Sequence, residues 1–389
     1  MIKYSSKLEK IPFSPIRKVM GEVRRLKSLG HDVINLGIGE PDFDTPAHIN
    51  NAMIEATKNG ETHYTTNKGI DELRQAISEK LKNDNDLEYD IEEIICTVGV
   101  TQGIFCALSA FLDEGDEVLV PDPSWLNYSH IPRLNGAEPV LFPLTADNNF
   151  KIKVEELEKR VTDKTKALVI LDPSNPTGGV QSKEILEQVA EFAIKHDLLV
   201  FSDEIYEKLI YDGNKHYSIA ALPGMRKRTI IFNGFSKAYA MTGWRLGYIA
   251  ADAELIPPIL KMHAYNVANS TSMVQHGGIA ALKGSQESVN IMVEEFKKRR
   301  DFLVSEINNI KGLSCPSPGG AFYLFVDVKD TGMTGEEFSD FILKEAGVGL
   351  IPGTAFGERA THEVRISYAA SMDELERAIT KIKQAIEKL

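Results

Sequence analysis

The chain has 389 residues, 43% hydrophobic and 26% charged, and its 44 Lys+Arg against 56 Asp+Glu leave a formal net charge of −12. That length exceeds the roughly 250 to 300 residues that one hydrophobic core serves, so two domains are expected, and the composition excludes a disordered, collagenous or disulfide-stapled chain. The acidic balance argues against nucleic acid or an anionic membrane surface as partner, since both attract excess Lys and Arg.

In chain order, the first helix signal is Ser14 before Pro15, followed by the stripe Ile16, Val19, Met20, Val23 and Leu26 and closed by Gly30. That is an N-cap, an N1 proline, an apolar face and a C′ glycine. From 90 to about 250, β-branched runs alternate with helical patterns. The strand candidates are 93–98, 117–122, 138–144, 166–172, 198–204 and 229–235. Between the fourth and fifth lies a helix with Ile185, Leu186, Val189, Phe192 and Ala193 on one face. Apolar strands with crossover helices predict a mostly parallel sheet covered on both faces, with ligands outside the carboxyl ends of the strands. Beyond 284, two capping boxes (Thr334 with Glu337, Ser371 with Glu374) open helices, and the last helix presents Leu375, Ile379, Ile382, Ile386 and Leu389. Strand candidates 321–328 and 364–369 complete a smaller α+β unit. The expected fold class is α/β: a large domain over 46–283, and a small domain formed from 1–45 and 284–389.

Cys96, Cys106 and Cys315 show neither CxxC spacing nor a metal-ligand cluster, which predicts free thiols in a reducing compartment and no metal site. The opening MIKYSSKLEK has no apolar leader run and no stretch reaches the length of a membrane span, so a cytoplasmic protein is expected.

The strand ends carry the chemistry. LDPSNPTGGV at 171–180 places Asn175 in a turn cluster. SDEIYEKLIYDG at 202–213 offers Asp203 and Tyr206, and NGFSKAYAMTGWRLGY at 233–248 offers Lys237 and Arg245. Each alone has an ordinary explanation as a turn, a helix cap or a surface cation. Together, an amine, a carboxylate, a phenol and a guanidinium on neighbouring strand ends suit pyridoxal phosphate. The lysine would bind the cofactor covalently, and the carboxylate would keep the ring nitrogen protonated so that the ring acts as an electron sink. Gly99, Val100, Thr101 and Gln102 open a helix whose free N–H groups, beside Arg245, suit the phosphate.

Several segments, among them NLGIGEPDFDTP at 35–46, SNPTGG at 174–179, SDEIY at 202–206, SKAYAMTGWRLGY at 236–248 and VRISYA at 364–369, resemble the class I aminotransferases of the aspartate aminotransferase superfamily, fold-type I pyridoxal-phosphate enzymes. The resemblance implies that Lys237 is the cofactor lysine and proton carrier, and that Asp203 partners the ring nitrogen. It likewise implies Asn175 and Tyr206 at the phenolate oxygen, and Val100, Thr101 and Arg245 at the phosphate. A serine common three residues before the lysine is replaced by Gly234, leaving a main-chain N–H or Ser236 to substitute. Trp125 matches the residue stacked on the ring, and Arg365 the one that grips the substrate carboxylate. The backbone at Gly39 matches a contact to that carboxylate, and Trp125 and Asn175 also belong to the substrate side. Tyr64 matches a tyrosine that reaches the other subunit's phosphate, implying a homodimer.

The implied reaction is ping-pong transfer of an amino group from an L-amino acid to a 2-oxo acid, with 2-oxoglutarate as the usual acceptor. Thr101 stands where dicarboxylate-selective relatives often carry a lysine, and 263–273 contains no Arg or Lys. A buried carboxylate needs a cation, so the expected donor is aromatic or otherwise neutral, with aspartate as a further substrate. The alternatives are a fold-type I lyase acting at Cβ and a non-catalytic cofactor-binding regulator. A dinucleotide dehydrogenase is excluded, because no GxGxxG follows a strand with an acid about 20 residues on.

Overall fold

The computed structural model describes residues 3–389. Its first helix, α1 (Pro15–Ser28), runs as the sequence predicts and ends at Leu29, with Gly30 taking a positive φ of 84°. Ser14 precedes it but makes no side-chain cap bond. The next segment forms the short strand β1 (Ile34–Asn35).

Seven strands build the large sheet: β2 (Ile94–Thr97), β3 (Glu117–Asp122), β4 (Glu138–Pro143), β5 (Thr165–Leu171), β6 (Leu199–Asp203), β7 (Thr229–Gly234) and β8 (Gly247–Ala251). Their order is β2-β8-β7-β6-β5-β3-β4. Strands β4, β3, β5, β6 and β7 run parallel, and β8 lies antiparallel to both of its neighbours. The six predicted strands are present, shortened by a residue or two in most cases. The seventh, β8, is an addition: its sequence GYIAA is short and bounded by no turn signal, yet every residue of it is buried. Helix Lys183–Lys195 crosses from β5 to β6 and buries Leu186, Val189, Ala190, Phe192 and Ala193, the face the periodicity marks.

The chain ends meet in one core. β1 pairs in parallel with β10 (Val348–Gly349), and a three-stranded antiparallel sheet joins β9 (Tyr323–Asp327), β11 (Ile351–Pro352) and β12 (Glu363–Ser367) in the order β11-β12-β9. Ile34 and Leu36 pack with Phe296, Phe322, Val348 and Ile379 in a single cluster. Both capping boxes form, at Thr334 and Ser371. The last helix, Met372–Ile386, buries Leu375, Ile379 and Ile382, but Leu389 lies beyond its end and is 61% exposed, so it is no part of the apolar face. The 22-residue helix Glu287–Asn308 also exceeds the sequence reading. Its buried face Val289, Met292, Phe296, Leu303, Ile307 is interrupted by Arg299 and Arg300, themselves buried and paired with Asp42 at 2.7 Å and Asp212 at 2.6 Å. Two charged residues inside an apolar stripe mask its period.

Candidate active site

A cavity of about 440 Å³ opens at the carboxyl ends of β5, β6 and β7. The residues after those strands form one wall; β9, β12 and the loop Gly37–Glu40 form the second, and Ile16 and Met20 of α1 close the third side. Of the site residues implied by the family resemblance, all line this cavity except Tyr64, which is 90% exposed on the surface of the chain; of the helix start Gly99–Gln102, Val100 and Thr101 line it.

Lys237, three residues past β7, is the central amine. Burial pushes it down to about 8, the positive charges of Arg365 and Arg245 act the same way, and Glu40 opposes them. Its Nζ donates to the Gly39 carbonyl and lies 5.7 Å from the centre of the Tyr206 ring. A neutral amine is therefore within reach near pH 8. Asp203, the last residue of β6, shows the opposite shift. Burial raises its carboxyl to about 6, against the Tyr128 hydroxyl, which donates to it at 2.9 Å, and the Ile205 N–H at 3.2 Å. Perturbed groups of this kind facing one cavity cluster at functional sites.

Arg365 enters from β12. It donates from Nη1 to Asn175 Oδ1 at 3.0 Å and from Nη2 to the Gly37 carbonyl at 2.7 Å, with its guanidinium 4.3 Å above the Tyr323 ring. Its buried Nε has no partner, and its hydrogen-bond acceptors among the described residues are these two neutral oxygens. A buried guanidinium held only by neutral acceptors is a ready site for an incoming carboxylate. A Cβ at Gly39 would lie 3.0 Å from the Tyr323 hydroxyl, so the backbone there approaches as closely as a side chain would allow.

At the far end, helix Gly99–Phe111 starts against Arg245. Gly99 has φ +70°, and a Cβ on it would stand 2.5 Å from Arg245 Nη2. Only glycine permits this cradle of first-turn N–H groups and guanidinium, in which Val100 and Thr101 sit. Gly234 is accounted for by the same packing. It pairs with Gly247 across β7 and β8, and a Cβ there would lie 2.8 Å from Gly247 Cα, so a serine side chain has no room. Ser236 lines the cavity instead. An anion cradle, an amine of lowered pKa, a buried carboxyl and a vacant guanidinium together fit pyridoxal phosphate and an amino-acid carboxylate.

The model of "Aminotransferase class I and II" matches residues 31–382. The chain belongs to that family. A curated aspartate aminotransferase from Pyrococcus abyssi is 46% identical over 98% of both chains, and an aromatic-amino-acid aminotransferase from Thermococcus litoralis is 43% identical over the same shares. The solved aromatic aminotransferase of Pyrococcus horikoshii superposes with a TM-score of 0.90 at 45% identity, covering 94% of this chain and 99% of the other. The protein is thus an enzyme with the fold-type I architecture, an aminotransferase dependent on pyridoxal phosphate. This answers the lyase and regulator alternatives. No described helix is long and apolar enough to cross a membrane.

The aminotransferase cavity also holds residues that the sequence reading passed over. Tyr128, the donor to Asp203, lies three residues after Trp125 and meets it edge-to-face at 6.3 Å. Tyr323 shares a hydrogen bond of 2.8 Å with Tyr206 and lies diagonally from Arg365 across β9 and β12. Only the register reveals that neighbour. Ile16 and Met20 read as ordinary core positions of an amphipathic helix, because periodicity shows which side is apolar and not what it faces.

Proposed function

We propose that the enzyme is a broad-specificity aminotransferase for aromatic and other neutral L-amino acids, with aspartate as a further donor and 2-oxoglutarate as acceptor. The observation that carries this is the pairing of a carboxylate-ready Arg365 with an apolar wall of Ile16, Met20 and Ile38 in the same cavity, and Thr101 where a lysine would favour dicarboxylates. Bound pyridoxal phosphate supplies the sink for the electrons of the substrate Cα–H bond. Lys237 would hold the cofactor covalently, and its amine, of lowered pKa, would serve in its neutral form as the base that takes and carries the substrate Cα proton. Asp203 serves the ring nitrogen, Tyr206 and Asn175 the phenolate oxygen, and Val100, Thr101, Ser236 and Arg245 the phosphate. Trp125 would lie against the ring, while Arg365 and the Gly39 backbone would hold the α-carboxylate.

In this reading the catalytic unit is a cytoplasmic homodimer. Tyr64 and Tyr265 are 90% and 89% exposed, and the segments carrying them are tied together by Ser272 to the His63 carbonyl and Asn67 to the Ala268 carbonyl. Exposed aromatics at adjoining positions suit a partner surface, from which Tyr64 would reach the second subunit's phosphate. All three cysteines are free, as a reducing compartment requires. The division into a domain of 46–283 and one of 1–45 with 284–389 belongs to the same proposal. A single-turnover panel of the 20 amino acids, followed by loss of the bound cofactor's visible absorbance, tests the donor range. Fast reaction with Phe, Tyr and other neutral donors is expected; reaction with aspartate and glutamate alone would overturn it.

A further inference from the structure

His216 has no role in the site described so far, yet it is buried between two carboxylates. Its Nε2 lies 3.1 Å from Glu204 Oε2 and its Nδ1 3.5 Å from Asp172 Oδ2. Asp172 follows β5 and leads into the turn that carries Asn175; Glu204 follows Asp203 directly at the end of β6. One imidazole therefore bridges the ends of two adjacent strands, and each strand end delivers a cavity residue. The Asp172 N–H also donates to the Asp203 carbonyl at 3.0 Å.

The charges around it have one simple arrangement. Glu204 Oε1 accepts from the Ser202 and Ser218 hydroxyls at 2.9 and 2.7 Å, and Asp172 Oδ1 accepts the Gln181 N–H at 2.9 Å. Among the described residues neither carboxylate has another ion-pair partner. Nε2 is within hydrogen-bond distance of Glu204, whereas Nδ1 and Asp172 Oδ2 face each other at ion-pair distance with no hydrogen bond closed between them. A neutral imidazole has one N–H for these two carboxylates and the imidazolium has two, with a positive charge. Burial works against that charge, but the carboxylates on both sides outweigh it and lift His216 to about 10. Glu207 also faces this group. Burial pushes its carboxyl up, but Lys80 of helix Asp71–Asn85 and the His216 charge hold it at about 2. Ligand atoms of Glu204, Glu207 and His216 lie within 4.8 Å of one another, yet Lys80 engages Glu207 and the imidazolium has no lone pair, so a metal ion has no place there. Asp203 itself feels the Glu204 charge, which raises its carboxyl further.

We propose that His216 is a positioning residue for transamination. As a permanent imidazolium it holds the Asn175 turn against the Asp203 strand end and offsets the charges of Asp172 and Glu204, so that Asp203 stays ionised for the cofactor's ring nitrogen. The inference rests on the role proposed above for Asp203.

The test uses the loaded enzyme and two readouts, the pH midpoint of the bound cofactor's visible absorbance and the separate values of kcat and KM. His216→Gln removes a positive charge, so the midpoint should rise by about half a unit or more, and kcat should fall about tenfold while donor KM, set by Arg365, changes less than about twofold. The double variant His216→Gln with Glu204→Gln removes one charge of each sign and should bring the midpoint back to within about 0.2 units. An unmoved midpoint in His216→Gln, or a loss of kcat that the double variant repeats in full, overturns the proposal. Asp203→Asn separates the two readings: if it leaves midpoint and kcat unchanged, the role of Asp203 fails first, whereas a shift there with none in His216→Gln removes His216 alone. If the variants do not fold, imidazole nitrogen shifts of the parent enzyme decide, since a neutral His216 at pH 7 would contradict the proposal directly.

Discussion

Two of the cavity's three sides are held in different ways. The strand-end wall hangs on a seven-stranded sheet in which Asp203, Asn233 and Gly234 are buried together with the strands behind them. The third side is α1, in which Val23 is the only buried residue and Ile16 and Met20 are half-buried. In the proposed reading, charge chemistry sits where geometry is stiff, and contact with the substrate side chain falls to a lightly packed helix. Rate and specificity depend on different elements, so substitutions should divide accordingly.

Changes on the rigid wall come first in size. Lys237→Ala should lower kcat at least about 10³-fold, because base and covalent anchor are lost together, and the visible absorbance of the loaded enzyme should change with it. Full turnover in that variant would place the chemistry elsewhere. In the parent apoenzyme, the rate of cofactor uptake should climb with pH up to about 8, where the amine gives up its proton. Arg365→Ala should follow with a loss of about 10²-fold in kcat/KM that is equal for all donors, since each donor has the same α-carboxylate. A loss confined to one side-chain class would move Arg365 from the shared grip to the selective wall.

Asp203 shows what that rigidity costs. Its folded value of about 6 lies above the ordinary 3.8, so the folded chain binds this proton more tightly than the unfolded one. The associated stability is present at low pH and lost as pH rises from about 4 to about 6. Asp203→Asn should therefore stabilise the cofactor-free protein by about 2 to 3 kcal/mol at pH 8 and hardly at all at pH 4, while activity collapses. Denaturant unfolding at the two pH values reads this. A destabilised variant at pH 8 would mean that the Tyr128 and Ile205 hydrogen bonds outweigh the burial of charge.

The same contrast explains what the sequence disclosed. Turn clusters and unusual residue types mark strand ends in one dimension, so Asn175, Asp203, Tyr206, Lys237 and Arg245 could be found without coordinates, and the parallel sheet with them. Arg365 was legible through the motif VRISYA, but its neighbours Tyr323 and Gly37 were not, because they depend on the β9–β12 register and on a loop more than 300 residues away in the chain. Tyr128 was hidden for a similar reason: its hydroxyl meets Asp203 across 75 residues. β8 escaped because a five-residue strand rich in small residues has almost no periodic signal.

The smallest and most discriminating change is on α1. Ile16→Ala and Met20→Ala each remove a few methylene groups from the cavity lining without touching a charged group. A methylene in such a pocket is worth about 1 to 3 kcal/mol at most, and a half-buried position delivers the lower end. The expected loss in kcat/KM is about 3- to 20-fold for phenylalanine and tyrosine, with alanine nearly unaffected and aspartate unchanged or slightly improved. The half-reaction with 2-oxoglutarate should hold its rate, since Lys237, Asp203 and Arg365 stay in place. Equal losses for every donor would show instead that α1 supports the Arg365 grip, and the separation of a rate wall from a specificity wall would then fail.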